Sequence, residues 1–325
     1  TRLGSYRTTN GQGNFPVSFG ALQFASIDAQ SGGSVPTSGQ IKFSDFYNTK
    51  LQSVVNFYGS GRGGNRLVAK DRYNSGGSND VQTVGNYRTR PNNTSGTKVH
   101  IHVNQTIGSE KTRVEHCALK TGSWDSSTSL QVDVGGSGRI IGAGGDGGNG
   151  RSSSGNGSPG GDGTSGLGVQ YSPTQVNVAS GGFLTGGFAG GGGGAGGYDY
   201  DKRSSRHASG GGGGGGAGIP AGSGGARGTT GALGGNGSAG NTTTGGEGGG
   251  GSNNGGEAFG GAGGDGGQVG NPADNGAGGS GGEGSTSSGG SAGTPGAAIR
   301  RNSGFTVNVS NSGTMSGSQT ATTVL

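Results

Sequence analysis

Cysteine, tryptophan and methionine are nearly absent from this chain, each occurring once in 325 residues. The lone Cys117 excludes an intrachain disulfide and a zinc framework built from thiolates. Proline is scarce, at 8 residues, which argues against a collagen triple helix. Hydrophobic residues make up 25% and aromatics 6%, too little for a conventional core along the whole length. No apolar run approaches the roughly 18 residues of a membrane helix, so membrane insertion is not expected. Charge is thin as well, at 12% of residues with a formal net charge of +5. Residues 1–134 hold 14 Lys and Arg against 8 Asp and Glu. These cations stand singly rather than in blocks, so a nucleic-acid partner is not expected either.

What the chain has is glycine. Of 89 glycines only 17 precede residue 135, so two materials meet near Gly135. In the glycine-rich part, Phe259, Ala262, Asp265, Gln268, Asn271, Asp274, Ala277, Ser280 and Glu283 recur every third residue among glycines. A period of three is neither helical nor strand-like, but it matches an extended left-handed helix of the polyproline II type. Such helices have no internal hydrogen bonds and, when made of glycine, two bare faces. The pattern therefore predicts rods cross-bonded through their backbones over residues 135–325. Flexible linkers share the composition and are the competing reading. Further tracts fall at 181–197, 210–232 and 245–251, separated by polar inserts.

The first part reads as β structure. Val99, Ile101 and Val103 alternate with His100, His102 and Asn104, and Leu130, Val132 and Val134 repeat the pattern. With turn signals between such runs, residues 51–134 are expected to form an antiparallel β-sandwich of roughly six to eight strands. Val81, Val84, Tyr87, Leu119 and Trp124 are further core candidates. Residues 1–50 are too short to be comfortably stable alone. Their concentrated aromatics Phe43, Phe46 and Tyr47 mark a docking module. Phe305, Val307 and Val309 alternate as a closing strand, so the expected class is all-β throughout.

The segment from Gly39-Gln40 through Ile41-Lys42-Phe43-Ser44-Asp45-Phe46-Tyr47 resembles one found in tail-associated structural proteins of tailed bacteriophages. The strand leading into Gly-Gly-Xaa tracts, the polar inserts and the closing Ala297-Ala298-Ile299 plus strand resemble glycine-rich phage tail-fibre proteins, in particular the tip adhesins of T-even-type long tail fibres. That resemblance covers residues 135–325 and implies a bundle of polyglycine II helices whose loops meet the bacterial surface. The β-rich region before the glycine field departs from the pattern. The expected function is that of a non-enzymatic virion protein in the phage tail, with other tail or fibre proteins and a bacterial surface receptor, protein or glycan, as partners. A purely structural glycine-rich filament or spacer is the alternative.

Tyrosine and arginine are favoured at binding hot spots because they give large, rigid contact area and planar donors. The insert at 198–209 combines Tyr198, Tyr200, Lys202, Arg203, Arg206 and His207, making it the first candidate for receptor contact. The insert at 151–180, with Tyr171, is the second. Other chemistry is weakly signalled. Gly-x-Gly-x-x-Gly recurs by chance at this glycine content and lacks the strand and helix of a dinucleotide site. Asp265 sits as in calcium-binding β-roll repeats, but Gly267 replaces the large apolar residue they need. His100 and His102 share a strand face, which is more often a surface than a metal site. Cys117 and His116 point to opposite faces of a strand and make no nucleophile and base. No cofactor, metal or catalytic residue is expected.

Overall fold

The computed structural model describes residues 95–96, 98–111, 113–201, 204–281 and 286–325, with Ala69 and the strand backbones at 27–28 and 50–57. Phe43, Phe46 and Tyr47 lie outside the described residues, as do Val81, Val84 and Tyr87. Among the described residues, every element longer than one residue is a strand. In chain order these are β1 (Ile27–Asp28), β2 (Lys50–Phe57), β3 (Lys98–Val103), β4 (Thr106–Ile107), β5 (Cys117–Lys120), β6 (Ser129–Val134), β7 (Arg139–Ile141), β8 (Ser165–Val169), β9 (Thr174–Val178) and β10 (Phe183–Thr185). Short pairs follow in the glycine region: β11 (Gly197–Asp201), β12 (Ser204–Ala208), β13 (Asn253–Asn254), β14 (Ala258–Phe259) and β15 (Ser280–Gly281). The chain closes with β16 (Ile299–Arg301), β17 (Val307–Asn311), β18 (Thr314–Ser316) and β19 (Gln319–Ala321).

The strands wind as a parallel β-helix with three faces. One sheet stacks β2, β3, β6, β9 and β17, a second β4, β7, β10 and β18, a third β5, β8, β16 and β19, all in parallel register. From β3 onward each coil contributes one strand to each face. Within these three sheets, among the described residues, only the short β1 runs antiparallel, along β2. Equivalent residues stack rung on rung: Ile101 beside Val132 and Val132 beside Val176, Ile107 beside Ile140, Leu119 beside Leu167 and Leu167 beside Ile299. These side chains are fully buried and form one core. Alternation along each strand puts one apolar set inside while the other set faces out.

The described strands of 51–134 do not form the antiparallel sandwich expected there, since β2, β3 and β6 pair in parallel. Period-two alternation is the same whether a strand pairs with its hairpin neighbour or with a rung one coil away, so it cannot report strand direction. The stacked partners come from far along the chain, Val99 with Leu130 and Leu130 with Thr174. The sheets thus extend beyond Gly135, and the closing segment supplies β16 to β19 as further rungs. Cys117 is completely buried, and burial pushes its thiol up to about 12 despite the nearby cations Arg300 and Lys120. It is a core residue, not a nucleophile.

The glycine region leaves the β-helix at one corner, between the second and third faces. It departs after β7 and returns at β8, then departs after β10 and returns at β16. Backbone hydrogen bonds between its extended tracts recur every third residue. Gly145, Gly148 and Arg151 N–H groups donate to Phe188, Gly191 and Gly194 carbonyls at 2.8, 2.8 and 3.0 Å. On another side of the same tract, Gly144, Gly147 and Gly150 donate to Pro220, Ser223 and Ala226. Consecutive tracts reverse direction, so each returns toward the end from which its predecessor came.

Position in this packing explains composition. The tract at 186–196 exchanges backbone bonds with tracts at 143–151, 155–164, 210–217, 261–267, 274–277 and 290–296. The tract at 210–216 is equally enclosed, and all of its residues are buried glycines. Peripheral tracts keep one face toward water, and there every third residue carries a side chain. Those side chains are short and polar for a reason. Asp146 Oδ1 accepts from Ser223 N–H at 2.7 Å, Asn149 Oδ1 from Ala226 at 2.8 Å, Asp265 Oδ1 from Gly248 at 2.7 Å and Asn275 Oδ1 from Ala292 at 2.7 Å. They bond outward-facing amides that no tract covers. Asp146 also bonds Lys111 Nζ at 2.7 Å, tying the region to the β-helix. Partial burial alone would raise the Asp146 carboxyl, but these donors outweigh it and hold it below the ordinary range.

Candidate functional site

Because the tracts alternate in direction, their connections fall at two ends. One end abuts the β-helix. At the other, the turns near 152–154, the β11–β12 hairpin, the loop near 229–233, the β13–β14 turn and the segment holding β15 come together. Ser209 Oγ contacts Ser152 O at 3.4 Å and donates to Thr230 O at 2.7 Å, Gly155 bridges to Gly196, and Gly155 N–H donates to Ser287 Oγ at 3.0 Å. β11 packs on β14 and β15, and β12 on β13 and β14.

The hairpin is the largest element of this far end. Tyr198 lies opposite His207 and Asp199 opposite Arg206. The Tyr198 and His207 rings sit 4.8 Å apart, and Asp199 is buried. Arg206 Nη1 pairs with Glu257 Oε2 at 2.6 Å, and Asn254 Nδ2 donates to His207 O at 3.0 Å. The turn that presents Glu257 depends on Gly255 and Gly256 at φ values of 66 and 79°, where a side chain would be strained. So the hairpin is pinned to its neighbours by a charge pair and a side-chain amide bond to its backbone. Tyr200, across from Ser205, is 55% exposed.

Of the candidates read from sequence, Tyr198, Tyr200, Arg206 and His207 gather here, while Lys202 and Arg203 lie outside the described residues. Tyr171 does not join them. It follows β8 on the β-helix, packs against the core and donates to the Asp125 and Thr128 carbonyls at 3.1 and 2.9 Å. Two residues at the far end were not singled out beforehand as contacts, Phe259 at 41% and Leu233 at 49% exposure. The signal for Phe259 was available, since it is the one aromatic in its triplet stripe.

Residues 72–320, more than half of the chain, match the family described as phage tail fibre adhesin Gp38. The chain belongs to this family. No curated protein and no solved structure matches it. The adhesin is thus a structural protein of the virion tail, and the family is one of fibre adhesins rather than enzymes. No helix among the described residues of the adhesin is long and apolar enough to cross a membrane.

Proposed function

We propose that this adhesin attaches the phage to its bacterial host through the far-end loops of the glycine region. In this reading the tracts are polyglycine II helices, which fits their period-three backbone bonding and the absence of any bond within a tract. The bundle holds the loops rigidly, the β-helix carries the bundle, and residues 1–50, with Phe43, Phe46 and Tyr47, dock the adhesin to other tail or fibre proteins. The observation that carries the reading is the gathering of exposed Tyr200, Leu233 and Phe259 around the Arg206 hairpin at the end farthest from the β-helix. Aromatic faces and cations suit either a protein or a glycan receptor on the bacterial surface. Purified adhesin incubated with host cells is expected to block subsequent phage adsorption, and a variant with Tyr198, Tyr200, Arg203 and Arg206 all changed to alanine is expected to block it poorly. Equal blocking by both proteins would move recognition away from the hairpin. No blocking by the wild type would favour a structural spacer.

A further inference from the structure

A cluster far from the loops lies on the outward side of the first β-helix face. His100 and His102 alternate along β3, and Asp133 stands beside His102 on the neighbouring rung, β6. His100 Nδ1 is 3.2 Å from Asp133 Oδ2, and His102 Nδ1 is 3.6 Å from the same oxygen. Outward side chains normally meet water, yet the His100 and Asp133 side chains are only 12 and 19% exposed. Asp133 Oδ1 is taken up by two amides, Gln131 Nε2 at 2.7 Å and Asn177 Nδ2 at 2.8 Å. Asp133 Oδ2 and His100 Nε2 are buried, and neither has a hydrogen bond of acceptable geometry.

We propose that His100, His102 and Asp133 bind a divalent transition-metal ion, Zn2+ in the first instance. Ligands at about 2.0–2.1 Å from a tetrahedral zinc are separated by about 3.3–3.4 Å, and the two short separations here lie on either side of that. One donor atom from each residue falls within 4.8 Å of the others, so modest ring rotation completes the set. Two imidazoles and one carboxylate match zinc and its neighbours in the first transition row, whereas calcium and magnesium call for oxygen donors. The amide bonds to Oδ1 fix the carboxylate and leave Oδ2 for the metal, the outer support that metal ligands ordinarily receive. Three protein ligands leave the fourth position to water. The ion joins β3 to β6 and so rivets the first coil to the second.

The competing explanation is a metal-free contact between the histidines and Asp133. Chelator-treated full-length protein titrated with Zn2+ alone separates the two, read by calorimetry and by thermal melting. One ion per chain is expected, with a dissociation constant of about 1 μM or tighter and a raised melting temperature. Co2+ in place of Zn2+ is expected to give the visible absorption of a tetrahedral site. His102→Ala and Asp133→Asn are each expected to weaken binding about tenfold or more. His102 is the most exposed of the three, so His102→Gln serves as a variant that keeps the metal-free fold, checked by its melt without metal. No heat and no melting shift at about 100 μM Zn2+ overturns the proposal. So does undiminished binding by the His102→Gln and Asp133→Asn variants, which assigns the ion to other residues.

Discussion

Gly213 shows how much a single methyl group matters in this molecule. A Cβ there would run into the backbone of Gly191 and Gly192, which cannot step aside without breaking the bonds that join the tracts. Gly250, in a peripheral tract, has nothing within 4 Å of the same position. Gly213→Ala is therefore expected to cost about 1–3 kcal/mol or more as an overpacking substitution, and Gly250→Ala to be neutral or slightly stabilising through the unfolded chain. Denaturant melts of the two variants check this, and equal stabilities would contradict it. At this scale much was readable in advance. The identity of every third residue reports which face meets water, and unbroken glycine runs mark the enclosed tracts. What composition does not disclose is that Asp146, Asn149, Asp265 and Asn275 take up backbone amides of the next tract, because that requires knowing which tracts are neighbours.

For a whole tract, phase is the critical property. An alanine inserted after Gly264 turns every later stripe residue by one third of a turn and directs side chains into the tracts that Gly266 and Gly267 now meet. Loss of amide-exchange protection across 261–277 is expected, whereas unchanged protection, or none in the wild type, would mean the tracts are independent linkers. The β-helix rungs were equally open to reading. Val99-His100-Ile101-His102-Val103, Leu130-Gln131-Val132-Asp133-Val134 and Thr174-Gln175-Val176-Asn177-Val178 are one repeated unit, and each recurs as a rung of the same sheet. Alternation marks the first two runs as strands, whereas the third lies in a stretch that reads as a polar insert, and it is the likeness among all three that marks a solenoid. The large glycine insertion between the third and fourth repeats broke the spacing by which such repeats are recognised.

Across the whole molecule, a single corner of a parallel β-helix carries a tightly cross-bonded glycine region, whose loops end far from the strands. The arrangement keeps stiffness without a conventional core, since backbone bonds replace side-chain burial over the region where apolar residues are scarcest. The far-end hairpin was visible in sequence as the one insert dense in tyrosine and arginine. Phe259 stands out only as the one aromatic of its stripe, and it is folding that places it and Leu233 at the hairpin's end of the glycine region. The decisive measurement is adsorption of phage carrying Tyr200→Ala, Leu233→Ser and Phe259→Ala together, set against Val269→Ser, an exposed apolar residue in the turn after the tract at 261–267, at the β-helix end. The triple variant is expected to melt like the wild type, enter virions normally and adsorb to host cells about tenfold or more slowly, as loss of aromatic hot spots implies. Val269→Ser is expected to adsorb as the wild type does. Normal adsorption by the triple variant, with slow adsorption by Val269→Ser, would contradict the assignment of receptor contact to the far end.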